Sequence, residues 1–223
     1  MMLLALDTST AHSGLALYDG VQILGELSWH SHLRQTVELA PAISELMKRV
    51  NTDMGAVRAI GIAIGPGSFT SLRVGLSLAK GLSLARHIPL IGIPSLNILA
   101  AALPVQNIPL AATLQAGRGR LAVGWYHTTA EGWQADGPVV TQTADELADS
   151  ITTPTLVCGE LNEDQRQRLA RKYKNVSIPS PAHCVRRPGI LAELAWQRWQ
   201  AGDTDSAASL APIYLHVAGG PPA

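Results

Sequence analysis

The pattern of apolar and polar positions cuts the chain into short apolar runs and longer stretches of helical period. Residues 3–6 form an apolar run that ends in Asp7-Thr8-Ser9-Thr10, and residues 13–18 form a second. Asp19-Gly20 then separates the second run from residues 21–29, a hairpin signal, so three antiparallel strands are expected. Residues 33–50 place Val37, Ala40, Ile43, Leu46, Met47 and Val50 along one helical face. Pro41 falls inside that pattern and predicts a kink or a restart. Residues 59–64 are a continuous apolar run, the pattern of a strand covered on both faces. Gly65-Pro66-Gly67 breaks the run, and Ser68 is suited to cap a helix reaching about Arg86. Pro89 opens a further strand to Ile93.

Beyond a linker at residues 104–109, the order strand, turn, strand returns in residues 109–126. Residues 132–141 are expected to continue as a strand. Thr143 with Glu146 has capping-box spacing for a helix over residues 144–151. A short strand at 155–158 and a helix at 163–173 follow. Pro188 suits the first position of a last helix ending near Ala201, with Leu191, Leu194 and Ala195 as its packing face. Trp196 and Trp199 are expected to cover a seam between domains. Three antiparallel strands followed by helix, strand, helix and strand describe a ribonuclease-H-like half-domain, the unit of the actin-like ATPase superfamily. The fold class expected is therefore α/β, with two such half-domains. They divide into residues 1–103 and a smaller 104–223, and the last helix is able to pack back on the first.

The helix after the glycine turn has an unusual face. Ser71, Gly75, Ala79 and Ser83 recur every four residues, so one stripe carries only small side chains. Gly75 and Gly81 each cost about 1 kcal/mol relative to alanine in a helix interior. Phe69, Leu72, Leu76 and Leu82 add apolar area, and Arg73, Ser77 and Lys80 form a separate polar line. Three readings are open: packing on a helix of the same domain, packing on a partner protein, or a phosphate site at the amino end. A P-loop is excluded, because no Gly-Lys-Ser/Thr follows the turn.

GPGSFTSLRVGLSLAKGLSLA resembles the signature of the TsaB (YeaZ-like) family of tRNA threonylcarbamoyladenosine biosynthesis, with Ser71 in place of a third glycine. The opening LLALDTSTAHSGLALYDG is similar to the amino terminus of that family, and APIYLH to its Pro-x-Tyr-Leu-Arg ending, with His216 for arginine. The resemblance covers the first hundred residues well. It implies a non-catalytic accessory subunit that binds the catalytic relative TsaD, and through it TsaE, for modification of the adenosine beside the tRNA anticodon. It implies a partner interface at Phe69, Ser71, Leu72, Arg73, Gly75, Leu76, Ala79 and Lys80. It also makes Asp7, Thr8 and Ser9 a vestigial phosphate site, since superfamily members hold nucleotide at this hairpin. A homodimer is allowed, contact with tRNA is indirect, and ATP with magnesium is expected only in the complex.

Composition narrows the alternatives. With 17 basic and 17 acidic residues there is no global pull toward nucleic acid or membrane. Residues 88–117 contain no charged residue, but Pro89, Pro94, Pro104 and Pro109 break them into pieces too short to span a bilayer. No signal peptide is evident, and a cytoplasmic protein is expected. Cys158 and Cys184 lack metal spacing and suggest buried thiols. His30 and His32 are two apart, not the His-x-x-x-His pair of TsaD, and Gln35 stands where the TsaB family often has histidine. A metallopeptidase is disfavoured on that ground. An ATP-dependent phosphotransferase of the superfamily would need an acidic residue at the second turn, where family members often have aspartate and this chain has Gln115. Arg118 and Arg120 at that turn suit an anion, a partner or solvent. Arg166, Arg168, Arg171 and Lys172 read as a solvated face balanced by Glu163 and Asp164.

Overall fold

Strands β1 (Met2–Asp7), β2 (His12–Tyr18) and β3 (Ile23–His30) form an antiparallel meander, and helix α1 (Gln35–Arg49) follows. The chain then returns parallel to β1 as β4 (Val57–Ala63), crosses through α2 (Phe69–Arg86), and adds β5 (Leu90–Ile93). The strand order is β3-β2-β1-β4-β5. These features come from a computed structural model that describes residues 1–32, 34–172 and 174–215. The chain separates into two compact units, one of Met1–Ile98 with Arg187–Ile213 and one built on Leu99–Arg186. Each unit has the three-stranded antiparallel meander followed by parallel strands and helices expected of a ribonuclease-H-like half.

Alternation along β1 sends its residues to two cores. Leu4 and Leu6, with Leu15, Leu17, Ile60 and Ile62, meet α1 and α2 through Leu39, Ile43, Leu46, Leu76 and Ala79. Leu3 and Ala5, with Ala16, Ala59, Ile91 and Ile93, meet the last helix, α6 (Pro188–Gln200), through Leu191, Ala192 and Ala195. A Cβ on Gly61 would lie 2.7 Å from that of Ala195, so a glycine is what lets helix and strand approach. After α6, Asp205 accepts from the amide of Gly92, and Ile213 donates its amide to Ile64.

A short helix α3 (Ser95–Ala101) leads to the second sheet: β6 (Leu110–Gln115), β7 (Leu121–Thr129), β8 (Gly132–Ala135), β9 (Val140–Gln142), α4 (Ala144–Ser150), β10 (Thr155–Gly159), α5 (Glu163–Ala170) and β11 (Val176–Ser177). Read from the other edge, its order is β8-β7-β6-β10-β11, with β9 paired to β7. That is the first sheet's order repeated.

Several expectations are corrected. Helix α1 runs unbroken through Pro41 instead of restarting. The hairpin turn is longer than Asp19-Gly20: the Asp19 carboxylate accepts the amides of Val21 and Gln22, and β3 starts only at Ile23. The strand expected over 132–141 is two pieces, interrupted at Asp136-Gly137-Pro138, where Gly137 takes φ +115. Trp196 meets both Trp199 and Tyr18 edge to face. His216 and the closing GGPPA lie outside the described residues. Among the described residues, no helix is long and apolar enough to cross a membrane.

Candidate functional site

The turn after β1 is the polar centre of the first unit. Asp7, Thr8, Ser9 and Thr10 are all buried. The Ser9 amide and hydroxyl both donate to Asp7 Oδ1, at 2.8 and 2.6 Å. Thr8 Oγ1 donates to Ser71 O at 2.8 Å, and Ser95 Oγ to Ser9 Oγ at 2.7 Å. The Gly65 amide in turn donates to Ser95 Oγ, and the Ser68 amide to Ser9 O. The Gly65–Pro66 peptide is cis. A Cβ on Gly67 would stand 2.0 Å from Ser9 O, so the glycine turn is laid directly on the backbone of the strand end. Gln35 closes the other side through Nε2, which donates to Ser71 Oγ at 3.3 Å. The three residues nominated for phosphate are brought together, and Asp7 Oδ1, the Thr8 hydroxyl and the Ser9 amide and hydroxyl are bonded to this chain's own atoms.

Ser68 caps α2 as expected, accepting from the Ser71 amide. The small stripe faces the other way from the partner reading. Ser71, Gly75, Ala79 and Ser83 are buried, with Leu72 and Leu76. A Cβ on Gly75 would come 2.1 Å from Thr8 Oγ1. The stripe is small because α2 must lie against the end of β1, so Ser71, Leu72, Gly75, Leu76 and Ala79 are not surface for a partner. Of the eight nominated residues, Phe69 (52% exposed) and Arg73 are exposed, and Lys80 is half-buried. The Arg73 guanidinium lies 3.6 Å above the centroid of the Phe69 ring, a cation–π contact.

The outward face of α2 carries Thr70, Ser77, Gly81 and Leu84, the last 63% exposed. A Cβ at Gly81 would meet nothing within 4 Å. Beside this face, α1 and α2 enclose a mainly apolar groove of about 650 Å³, lined among others by Thr36, Ala40, Phe69, Val74 and Leu78. It continues into a second hollow of about 420 Å³ between Met47, Met54 and Leu82. Reasoning on the sequence missed the α1 wall, because Thr36 and Ala40 are ordinary residues of an amphipathic helix. Gly81 was legible as a cost without a use.

In the second unit, the turn after β6 is held by amides. Gln115 Nε2 donates to Glu160 O at 2.8 Å and to Gln165 Oε1 at 2.7 Å. Arg120 donates to Thr141 O, while Arg118 is exposed in a left-handed conformation. The basic residues of α5 are tied down: Arg168 to Asp145 and Asp164, and Arg166 to Pro179 O. Lys172, just beyond the helix, pairs with Asp149. His30 and His32 are exposed, with ring centroids 4.8 Å apart. Among the described residues, no group of three histidine, cysteine or acidic side chains is placed to hold a metal ion.

The profile of the TsaD family, tRNA N6-adenosine threonylcarbamoyltransferase, matches residues 26–198. This chain is a TsaB-type member of that family. The tRNA threonylcarbamoyladenosine biosynthesis protein TsaB of Haemophilus influenzae is 26% identical over 96% of this chain and 93% of its own length. Among solved structures, YeaZ from Pseudomonas aeruginosa superposes with a TM-score of 0.80 at 24% identity, over 96% of this chain and 99% of that one. The activator of 2-hydroxyisocaproyl-CoA dehydratase from Clostridium difficile, a structure with bound ADPNP, matches at a TM-score of 0.54 and 10% identity over 91% of this chain and 97% of that one. Those two likenesses show the fold.

Proposed function

We propose that this chain is an accessory subunit without an active site of its own, which docks on a TsaD-type partner for formation of threonylcarbamoyladenosine on tRNA. The observation that carries the reading is the outward face of α2. Gly81 sits in open space at a cost of about 1 kcal/mol to the helix, beside an apolar groove lined in part by exposed Phe69. A glycine with no intrachain neighbour suits close approach of another backbone, and an apolar groove of this kind suits an amphipathic helix. Arg73 and Lys80 flank the contact. A second copy of this chain fits the same chemistry when the partner is absent.

The residues of the first turn do not fit a nucleotide phosphate, since the Ser9 amide and hydroxyl are spent on Asp7 and the Thr8 hydroxyl on Ser71. Gln115 supplies no charge at the second turn. In this reading ATP and magnesium belong to the assembled complex, TsaE joins through the catalytic partner, and tRNA is contacted indirectly. The names of the relatives support the pathway.

The test is a binding titration against the TsaD-family partner together with thermal melts at low protein concentration. Gly81→Leu is expected to keep or raise the melting temperature through helix propensity. Its binding should weaken by roughly five- to 150-fold, the equivalent of about 1–3 kcal/mol of overpacking. Gly75→Leu is expected to lower the melting temperature instead, because its side chain meets Thr8. Unchanged binding by Gly81→Leu would overturn the docking surface. Unchanged threonylcarbamoyladenosine in tRNA after depletion of the protein would remove the pathway.

A further inference from the structure

The second unit holds a pair of thiols that the proposed function does not use. Cys158, next to last in β10, is fully buried, and Cys184, 5% exposed, directly follows the exposed turn Pro181–His183. Their sulfurs are 3.4 Å apart. A disulfide needs about 2.0 Å, so bond formation asks the two sulfurs to close by roughly 1.4 Å. The two segments are already clamped together on the far side of the pair. Arg186, two residues past Cys184, is buried and donates to Glu160, two residues past Cys158, at 2.6 Å.

The surroundings also separate the roles of the two sulfurs. A hydrogen bond from Cys158, the amide of Gly159 and the Arg166 guanidinium all favour the Cys184 thiolate and hold its pKa below the ordinary value. The same hydrogen bond, and after it burial, push Cys158 up and favour its protonated form. Two sulfurs in contact, the one nearer the surface with its thiolate favoured and the deeper one with its thiol favoured, are the arrangement of an attacking and a resolving cysteine.

We infer that Cys158 and Cys184 form a reversible intramolecular disulfide when the protein meets a hydroperoxide. The Cys184 thiolate attacks the peroxide oxygen, its sulfur becomes a sulfenic acid, and the O–O bond breaks to release an alcohol, or water from hydrogen peroxide, protonated from solvent. Cys158 then attacks the Cys184 sulfur and the S–O bond breaks. The proton of the Cys158 thiol leaves with the hydroxide as water. Two thiols are oxidised and one peroxide is reduced.

The experiment treats the intact folded protein with hydrogen peroxide, quenches by alkylation under denaturing conditions, and reads intact mass and a non-reducing gel. The expected product is monomeric, refuses alkylation at both cysteines, has lost the mass of two hydrogen atoms, and regains both thiols with a reductant. Cys158→Ser should stop one step earlier, with a sulfenic acid on Cys184 that a dimedone probe captures. Arg166→Met should shift the pH profile of wild-type thiol loss upward, an effect that packing alone does not produce. Two thiols still alkylated after treatment would overturn the inference, as would a covalent dimer or a gain of oxygen without loss of hydrogen. The wild-type readout decides even where a variant fails to fold.

Discussion

The two units share one strand order and solve the same junction differently. In each, the first strand ends beside the turn that leads from its parallel neighbour into the following helix. In the first unit that junction is closed by backbone and hydroxyls, with Gly67 on the Ser9 carbonyl and Ser95 bridging Ser9 to the Gly65 amide. In the second it is closed by amides and charge: Gln115 reaches Glu160 O and Gln165, and Glu160 pairs with buried Arg186. The glycine that ends β10 keeps one trace of the backbone solution, since a Cβ on Gly159 would stand 2.0 Å from Thr113 O. The helices differ too, α2 spanning Phe69–Arg86 and α5 only Glu163–Ala170. The long helix with a free face is in the unit whose junction is packed shut. A repeated topology therefore leaves the chemistry of its equivalent corners free to diverge.

Breaking the charged closure should cost most. Glu160→Gln removes a charge paired with an arginine whose side chain is 2% exposed, and a loss of about 3 kcal/mol in chemical denaturation is expected. Next comes the backbone closure. Gly67→Ala forces a Cβ onto the Ser9 carbonyl, with an expected loss of about 1–3 kcal/mol and weakened protection of the Ser68 amide in hydrogen exchange. If Gly67→Ala is neutral, the close approach is not what holds this corner.

A smaller effect should sharpen the contrast at Gln115. Gln115→Glu puts a carboxylate oxygen against Glu160 O and Gln165 Oε1, in place of the amide nitrogen that donates to both. A cost of about 1–2 kcal/mol is expected. The new carboxyl is favoured neutral by the carbonyl, so its folded pKa lies above the unfolded value. The variant's stability should then fall as pH rises through that value. The smallest effect is at the cap of α4. Glu146 accepts the Thr143 amide and, with the Thr143 hydroxyl and Arg120 near it, has a pKa below its ordinary 4.5. A lowered folded pKa means that the cap's contribution is complete above the unfolded value and is lost as pH falls through the folded one. The exchange rate of the Thr143 amide should rise over that acid range.

Much of this was legible because it is local. The glycine turn, the Ser68 and Thr143 caps and Pro188 at the start of α6 depend on a few neighbouring residues. The two halves followed from the order of apolar runs. Pro41 was misjudged as a break. It does not end α1, although it cannot donate to the carbonyl four residues before it; Val37 and Pro41 are both exposed, where water is at hand. The direction of the small stripe was misjudged for a different reason. Periodicity fixes which residues share a face and is silent on what lies opposite.

The sequence by itself determined the alternation that splits Leu3 and Ala5 from Leu4 and Leu6, the helices and their caps, and membership of a family through one glycine-rich signature. These follow from contacts within a turn or a strand, whose geometry the chain carries with it. Only the tertiary structure decided that Gly75 serves Thr8 while Gly81 faces open space, that α1 supplies the second wall of the groove, and that Cys158 and Cys184 meet. Each of those depends on which distant segment is brought opposite, a pairing set by burial of the whole sheet and its helices and written in no local pattern.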